Sequence, residues 1–132
     1  MSLNAALQGT SYPAVRYTFD AERVQAFADA VGHRGSGVPP TMLTAPEIEA
    51  GLRNVVSDPH LGVDLARVLH SEQVYEWARP VSVGVTVVAQ ATIESIRGRG
   101  AMHLVTLRTD LRDERGGAIA VARNTLLVRG EA

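Results

Sequence analysis

The second half of the chain constrains the fold most. RVLHSEQVYEWARPV (67–81), VGVTVVAQATIESI (83–96), MHLVTLRTDLRD (102–113) and AIAVARNTLLVR (118–129) are rich in β-branched and aromatic residues, and only RGRG (97–100) and DERGG (113–117) separate the last three. Short glycine-containing breaks between such runs are hairpin signals. Three strands of about ten residues each therefore follow one another as an antiparallel meander. Strands of that length coil, so the sheet they make curves around something. In the first of the four runs, strict alternation puts Leu69, Ser71, Gln73, Tyr75 and Trp77 on one face and His70, Glu72, Val74 and Glu76 on the other.

The first half supplies what the sheet wraps. YPAVRYTFD (12–20) reads as a short strand ending at Asp20, which is placed to cap a helix with Glu22 in its first turn. Phe19 and Val24 have the spacing of a hydrophobic staple, Val24, Phe27, Ala28 and Val31 recur at helical spacing, and Gly32 is the expected C-cap. A second helix is expected over roughly residues 41–56. Thr44-Ala45-Pro46-Glu47 fits a capping box at its start, and Ile48, Leu52 and Val55 continue an apolar stripe. Gly51 keeps part of that helix slim enough to lie close against a sheet. SDPHLGVD (57–64) is a turn segment. The order is strand, short helix, loop, central helix, long antiparallel strands. That is an α+β layout of about five strands around one buried helix, in a single domain over 1–132 with residues 1–8 a flexible lead-in.

Composition narrows the function classes. The 132 residues suffice for one core, and a net charge of −1 gives no general attraction for nucleic acid or an anionic membrane. With no cysteine, disulfides, thiol chemistry and thiolate metal sites are excluded. His33, His60, His70 and His103 are far apart in the sequence and form no His-x-x-x-His pair, so no metal site is expected. No signal-peptide pattern and no membrane-length apolar run is present, so a cytoplasmic protein is expected. No cofactor is implied.

LHSEQVYEWARPV (69–81), the two glycine turns, ARNTLLVRG (122–130) and VPPTML (38–43) occur together and in order. In this the chain resembles the FAS1-like dehydratase domain, the N-terminal type of MaoC-like hot-dog domain. His70-Ser71-Glu72-Gln73 and Arg79-Pro80 correspond to its His-x-Glu-Gln and Arg-Pro motifs, and Pro39-Pro40-Thr41 to the opening of its central helix. The resemblance covers roughly residues 9–130. It implies a hot-dog fold working on 3-hydroxyacyl or 2-enoyl thioesters of CoA or acyl carrier protein. It also implies a homodimer or a heterodimer with a catalytic hot-dog subunit, since one unit of a pair often carries the catalytic Asp and His while the other walls the acyl tunnel.

Competent members place that pair in a Gly-Asp-x-Asn-Pro-x-His run after the first helix. Here Gly32 is followed by His33-Arg34-Gly35-Ser36-Gly37. The catalytic pair cannot be assigned to any residue. Two candidates remain. His33 is a lone loop histidine whose plainer role is solvated or local hydrogen bonding. Glu47 lies where hot-dog thioesterases carry an acidic residue, and the capping box accounts for it without chemistry. His70 is expected to make a buried hydrogen bond tying strand to helix. Val38, Pro40, Thr41, Tyr75, Trp77 and Arg79 are the candidate substrate-binding residues, with Arg79 either a partner for a CoA phosphate or, the plainer reading, a solvated arginine, and with core or interface packing open for Tyr75 and Trp77. The chain is thus expected to be a non-catalytic or partner-dependent subunit of an (R)-specific 3-hydroxyacyl-thioester dehydratase. The alternatives are a thioesterase using Glu47 and an acyl-CoA-binding module without turnover.

Overall fold

The computed structural model describes residues 3–130. Its sheet has five antiparallel strands in the order β1-β3-β4-β5-β2. They are β1 (Val15–Thr18), β2 (Val68–Trp77), β3 (Thr86–Arg99), β4 (Met102–Asp113) and β5 (Ala118–Arg129). The three-stranded meander expected from the glycine turns is β3-β4-β5, with Gly100 and Gly116 in the left-handed conformation those turns require. β1 closes one edge against β3, and β2 closes the other against β5.

Helix α1 (Ala21–Val31) forms as its sequence predicts. Asp20 caps it by accepting from the Arg23 N–H, and Gly32 ends it at φ 73° while donating to the carbonyls of Ala28 and Asp29. The central helix spans residues 40–57 and is irregular. It opens as a 3-10 turn (Pro40–Leu43), becomes α-helical over Thr44–Glu47, widens into a π-helical turn over Ile48–Leu52 and finishes α-helical over Arg53–Ser57. It lies on the inner face of the sheet, chiefly over β3. Ala89, Ala91 and Ala122 make that face shallow, and Gly51 meets it closely: a Cβ there would stand 3.3 Å from Ala91 Cβ and 3.4 Å from Leu107 Cδ1.

Three expectations need correction. The helix does not start with a capping box, because the 3-10 turn precedes Thr44 and no side chain caps it. Its core-facing side is Leu43, Glu47, Ala50, Gly51 and Val55, whereas Ile48 is 40% exposed. The apolar stripe at Ile48 and Leu52 therefore points partly away from the core. From Leu3 on, the supposed flexible lead-in is docked: Leu3 is buried, Asn4 donates to the Leu61 carbonyl, and the Gln8 side chain accepts from the Ile96 N–H. Met1 and Ser2 lie outside the described residues.

Candidate functional site: a groove between the central helix and strand β2

β2 is an edge strand that runs past the central helix, and a bulge decides which of its side chains face it. Pairing with β5 takes His70 opposite Leu126 and Glu72 opposite Thr125, leaving Ser71 as an extra residue. The extra residue resets the alternation. Val68 and His70 before the bulge, and Gln73, Tyr75 and Trp77 after it, all face the helix side. Strict alternation had placed His70 opposite Gln73.

Two cavities lie along this groove. One, of about 390 Å³ at the start of the helix, is lined by Val38, Pro40, Trp77, Arg79 and their neighbours Ala78, Pro80 and Val81. The other, of about 230 Å³, is walled by Ile48, Leu52, Leu65, Val68 and Leu126, with Thr44, Glu47, His70, Gln73 and Asn124 as its polar groups. The Tyr75 hydroxyl meets Thr44 Oγ1 at 2.5 Å, one strand step from each of Gln73 and Trp77. Burial pushes the Tyr75 phenol up, the hydrogen bond to Thr44 pulls it down, and the nearby Glu47 adds a smaller upward push.

Glu47 is the most constrained polar group of the groove. It is 1% exposed, and its Oε2 accepts from Gln73 Nε2 at 3.0 Å and from Asn124 Nδ2 at 2.9 Å. Gln73 and Asn124 are cross-strand partners, so the β2–β5 register sets the two amides side by side. Burial raises the Glu47 carboxyl above the ordinary glutamate range, and the two amide donors and the His70 imidazole pull it partly back. Gln73 Oε1 and Asn124 Oδ1 are buried without a donor. His70 is exposed and not buried as expected; its Nε2 lies 3.1 Å from the carbonyl of Glu72 on its own strand rather than bonding the helix.

The structure gathers Val38, Pro40, Trp77 and Arg79 around the first cavity. Tyr75 is between the two, and Thr41 is exposed and lines neither. The Arg79 guanidinium is already paired with Asp113. His33 sits apart in the loop after α1, where its backbone N–H bonds the Ala28 carbonyl and its ring folds against Gly35 with Nε2 buried and unpartnered. Its ring lines neither cavity. Among the described residues no group of three His, Asp or Glu side chains is disposed to hold a metal, and no helix is long and apolar enough to cross a membrane.

A family model for the FAS1-like dehydratase domain region matches residues 13–122, most of the chain. The chain belongs to that family. Two relatives align along nearly their whole length. The UPF0336 protein of Streptomyces coelicolor is 31% identical, aligned over 98% of this chain and 97% of its own, and the one of Leifsonia xyli is 32% identical over the same shares. Solved structures show the hot-dog fold. A chain of the HadBC complex, a 3R-hydroxyacyl-ACP dehydratase from Mycobacterium tuberculosis, superposes with a TM-score of 0.77 at 20% identity, covering 92% of this chain and 96% of its own. The (R)-hydratase from A. caviae involved in PHA biosynthesis gives 0.62 at 17%, covering 90% and 94%.

Within this FAS1-like dehydratase domain, Thr44, Gln73 and Asn124 carry roles the sequence did not announce. Asn124 had a signal, since it interrupts an apolar strand at a position that faces the core. Gln73 belongs to the His-x-Glu-Gln motif, but the motif alone does not say that it reaches the helix.

Proposed function

We propose that this chain is a non-catalytic or partner-dependent subunit of an (R)-specific 3-hydroxyacyl-thioester dehydratase, acting also as a 2-enoyl-thioester hydratase in the reverse direction. One observation carries the proposal: the junction between α1 and the central helix contains no acid–base pair, while the groove beside it is kept. Hydration of an enoyl thioester needs a base for water, an acid for the α-carbon and donors for the enolate oxygen. His33 is turned into its own loop, and no carboxylate accompanies it there. The two cavities along β2 are what remains useful: apolar walls for an acyl chain, with Val38, Pro40 and Trp77 at one end and Leu52, Val68 and Leu126 at the other. Exposed Ile48, Leu65 and Trp77 on the rim of the groove suit cover by a second hot-dog chain that brings the catalytic pair. A complexed 3R-hydroxyacyl-ACP dehydratase with a chain of this fold supports the same arrangement.

The experiment is a three-way hydration assay on 2-enoyl-CoA: this protein, a hot-dog partner containing the Asp/His run, and the mixture. The expected result is negligible turnover by this protein alone and a changed chain-length preference in the mixture. Rapid hydration by the lone protein, lost in His33→Ala, overturns the proposal.

A second reading, thioester hydrolysis at Glu47, is favoured by the burial of that carboxyl beside a cavity. Release of free CoA from acyl-CoA, abolished in Glu47→Gln, is its test.

A further inference from the structure

One end of the sheet's outer face carries an unbalanced charge. The chain has 13 arginines and no lysine, and among the described residues seven of them form ion pairs. Three of the others meet at this end. The register sets Arg99 opposite Met102 and Met102 opposite Arg129, one row across β3, β4 and β5, and Arg97, Leu104 and Leu127 form the next row but one in the same way. Residues directly opposite across strands share a face. The row between and its alternates, with Ile96, Val105 and Leu126, pack into the core, so the two arginine rows face away from the central helix. Arg97, Arg99 and Arg129 are exposed, Met102 is 37% exposed, and Leu104 and Leu127 are half-buried. Among the described residues no carboxylate pairs with any of the three guanidinium groups. The carboxylates further in along this face are Glu94, which Arg123 holds, and Glu72, which stands opposite Thr125 on β2.

We infer that this end of the outer face docks a partner protein through an acidic amphipathic helix, its carboxylates meeting the arginines and its apolar stripe covering Met102, Leu104 and Leu127. Charge complementarity carries the inference: exposed cations around an apolar centre match a surface with carboxylates around an apolar centre. The spacing fits as well. Arg99 and Arg129 lie two strands apart, about 10 Å at the usual inter-strand distance. Residues i and i+7 of a helix lie about 10.5 Å apart on one face. A helix crossing the strands thus sets glutamates at i and i+7 on Arg99 and Arg129, with leucines at i+3 and i+4 over Met102. Other occupants fit less well. A second copy docked isologously brings arginines against arginines. A phosphate meets the guanidinium groups and leaves Met102, Leu104 and Leu127 uncovered. Anionic membranes are recognised by clusters of about four to eight basic residues, and half-buried leucines have little to insert. The inference is independent of the acyl-tunnel reading, because the surface lies on the face of β3, β4 and β5 opposite the groove.

The test uses the full chain and a helix-forming peptide with glutamate at i and i+7 and leucine at i+3 and i+4. Twin peptides carry glutamine or lysine at i and i+7. Methyl NMR of Met102, Leu104 and Leu127 reports the contact. At low salt the glutamate peptide is expected to bind roughly three- to tenfold tighter than the glutamine twin, and added salt should close the gap. In the double variant Arg99→Glu, Arg129→Glu the order should reverse, the lysine peptide binding tighter than the glutamate one. Both positions are exposed, so the variant should melt close to the unmodified protein. If it does not fold, the glutamate-to-glutamine ratio in the unmodified protein decides. Equal binding of those two peptides shows a plain apolar patch and overturns the inference, as does a glutamate preference that survives the double variant. Three further results overturn it in favour of another occupant. Phosphatidylserine vesicles that retain the protein when no peptide shifts Met102 indicate a lipid surface. Inorganic phosphate that shifts these methyl groups at lower concentration than the glutamate peptide indicates a small anion. A change of oligomeric state on Arg99→Glu, Arg129→Glu, seen by light scattering, indicates a contact between copies.

Discussion

Glu47 occupies a helix position that an all-apolar core would give to leucine, and its effect on stability follows from where its carboxyl sits. Its folded-state pKa is raised, mainly by burial. The folded protein then holds a proton that the unfolded chain releases at lower pH. Stability from this group is fully present below the ordinary glutamate range and falls as pH rises through the raised value. Urea midpoints measured from pH 4 upward should show that decline, and Glu47→Gln should flatten it. A decline that persists unchanged in Glu47→Gln would assign it to another group. Glu47→Leu is expected to cost about 1–3 kcal/mol, because it strands the Gln73 and Asn124 amide donors in a buried place. Glu47 was legible in the sequence as a candidate but not in its role. Its partners stand 26 and 77 residues away, and only the β2–β5 register brings them together.

At the level of elements, two irregularities build the groove. The bulge at Ser71 lets Val68 and His70 share a face with Gln73, Tyr75 and Trp77. Deleting Ser71 should therefore be tolerated, since a regular strand joining His70 to Glu72 puts those same five residues on one side. Deleting Val74 should not be, because it sets Gln73 against Tyr75 and breaks either the Glu47 or the Thr44 contact. Thermal melts of the two deletions separate these outcomes; similar losses in both would mean the bulge itself is required. The π-helical turn has its counterpart in Gly51, which lies against Ala91 and Leu107. Gly51→Val should destabilise by about 1–3 kcal/mol through overpacking, despite removing a helix glycine. The strands, the first helix and the meander were readable because periodicity, caps and glycine turns are local signals. The bulge and the π turn were not. Each is an extra residue absorbed by contact with another element, and neither leaves a periodic trace in its own segment.

For the whole molecule, the open question of assembly turns on β2. Its inner face meets the helix and one edge pairs with β5, but its other edge meets no described strand. Such an edge presents unpaired backbone groups and favours joining to another chain. The side chains around it point the same way: Leu69 is 61% exposed and Val74 is 39% exposed on the face away from the helix, and Leu65, Ile48 and Trp77 are exposed along the groove. Apolar side chains exposed along an open sheet edge are what pairing with another chain would cover. The expectation is a homodimer at micromolar concentration in the absence of a catalytic hot-dog subunit, formed along β2. The double variant Leu69→Lys, Val74→Lys should convert it to a monomer, since charges on an edge strand oppose edge-to-edge pairing. Both positions are exposed, so the variant's circular dichroism and melting should stay close to those of the unmodified protein. Light scattering on the two proteins decides the matter. A stable monomer before any substitution removes the argument for a shared tunnel, and a dimer that survives both lysines places the contact on a surface other than β2.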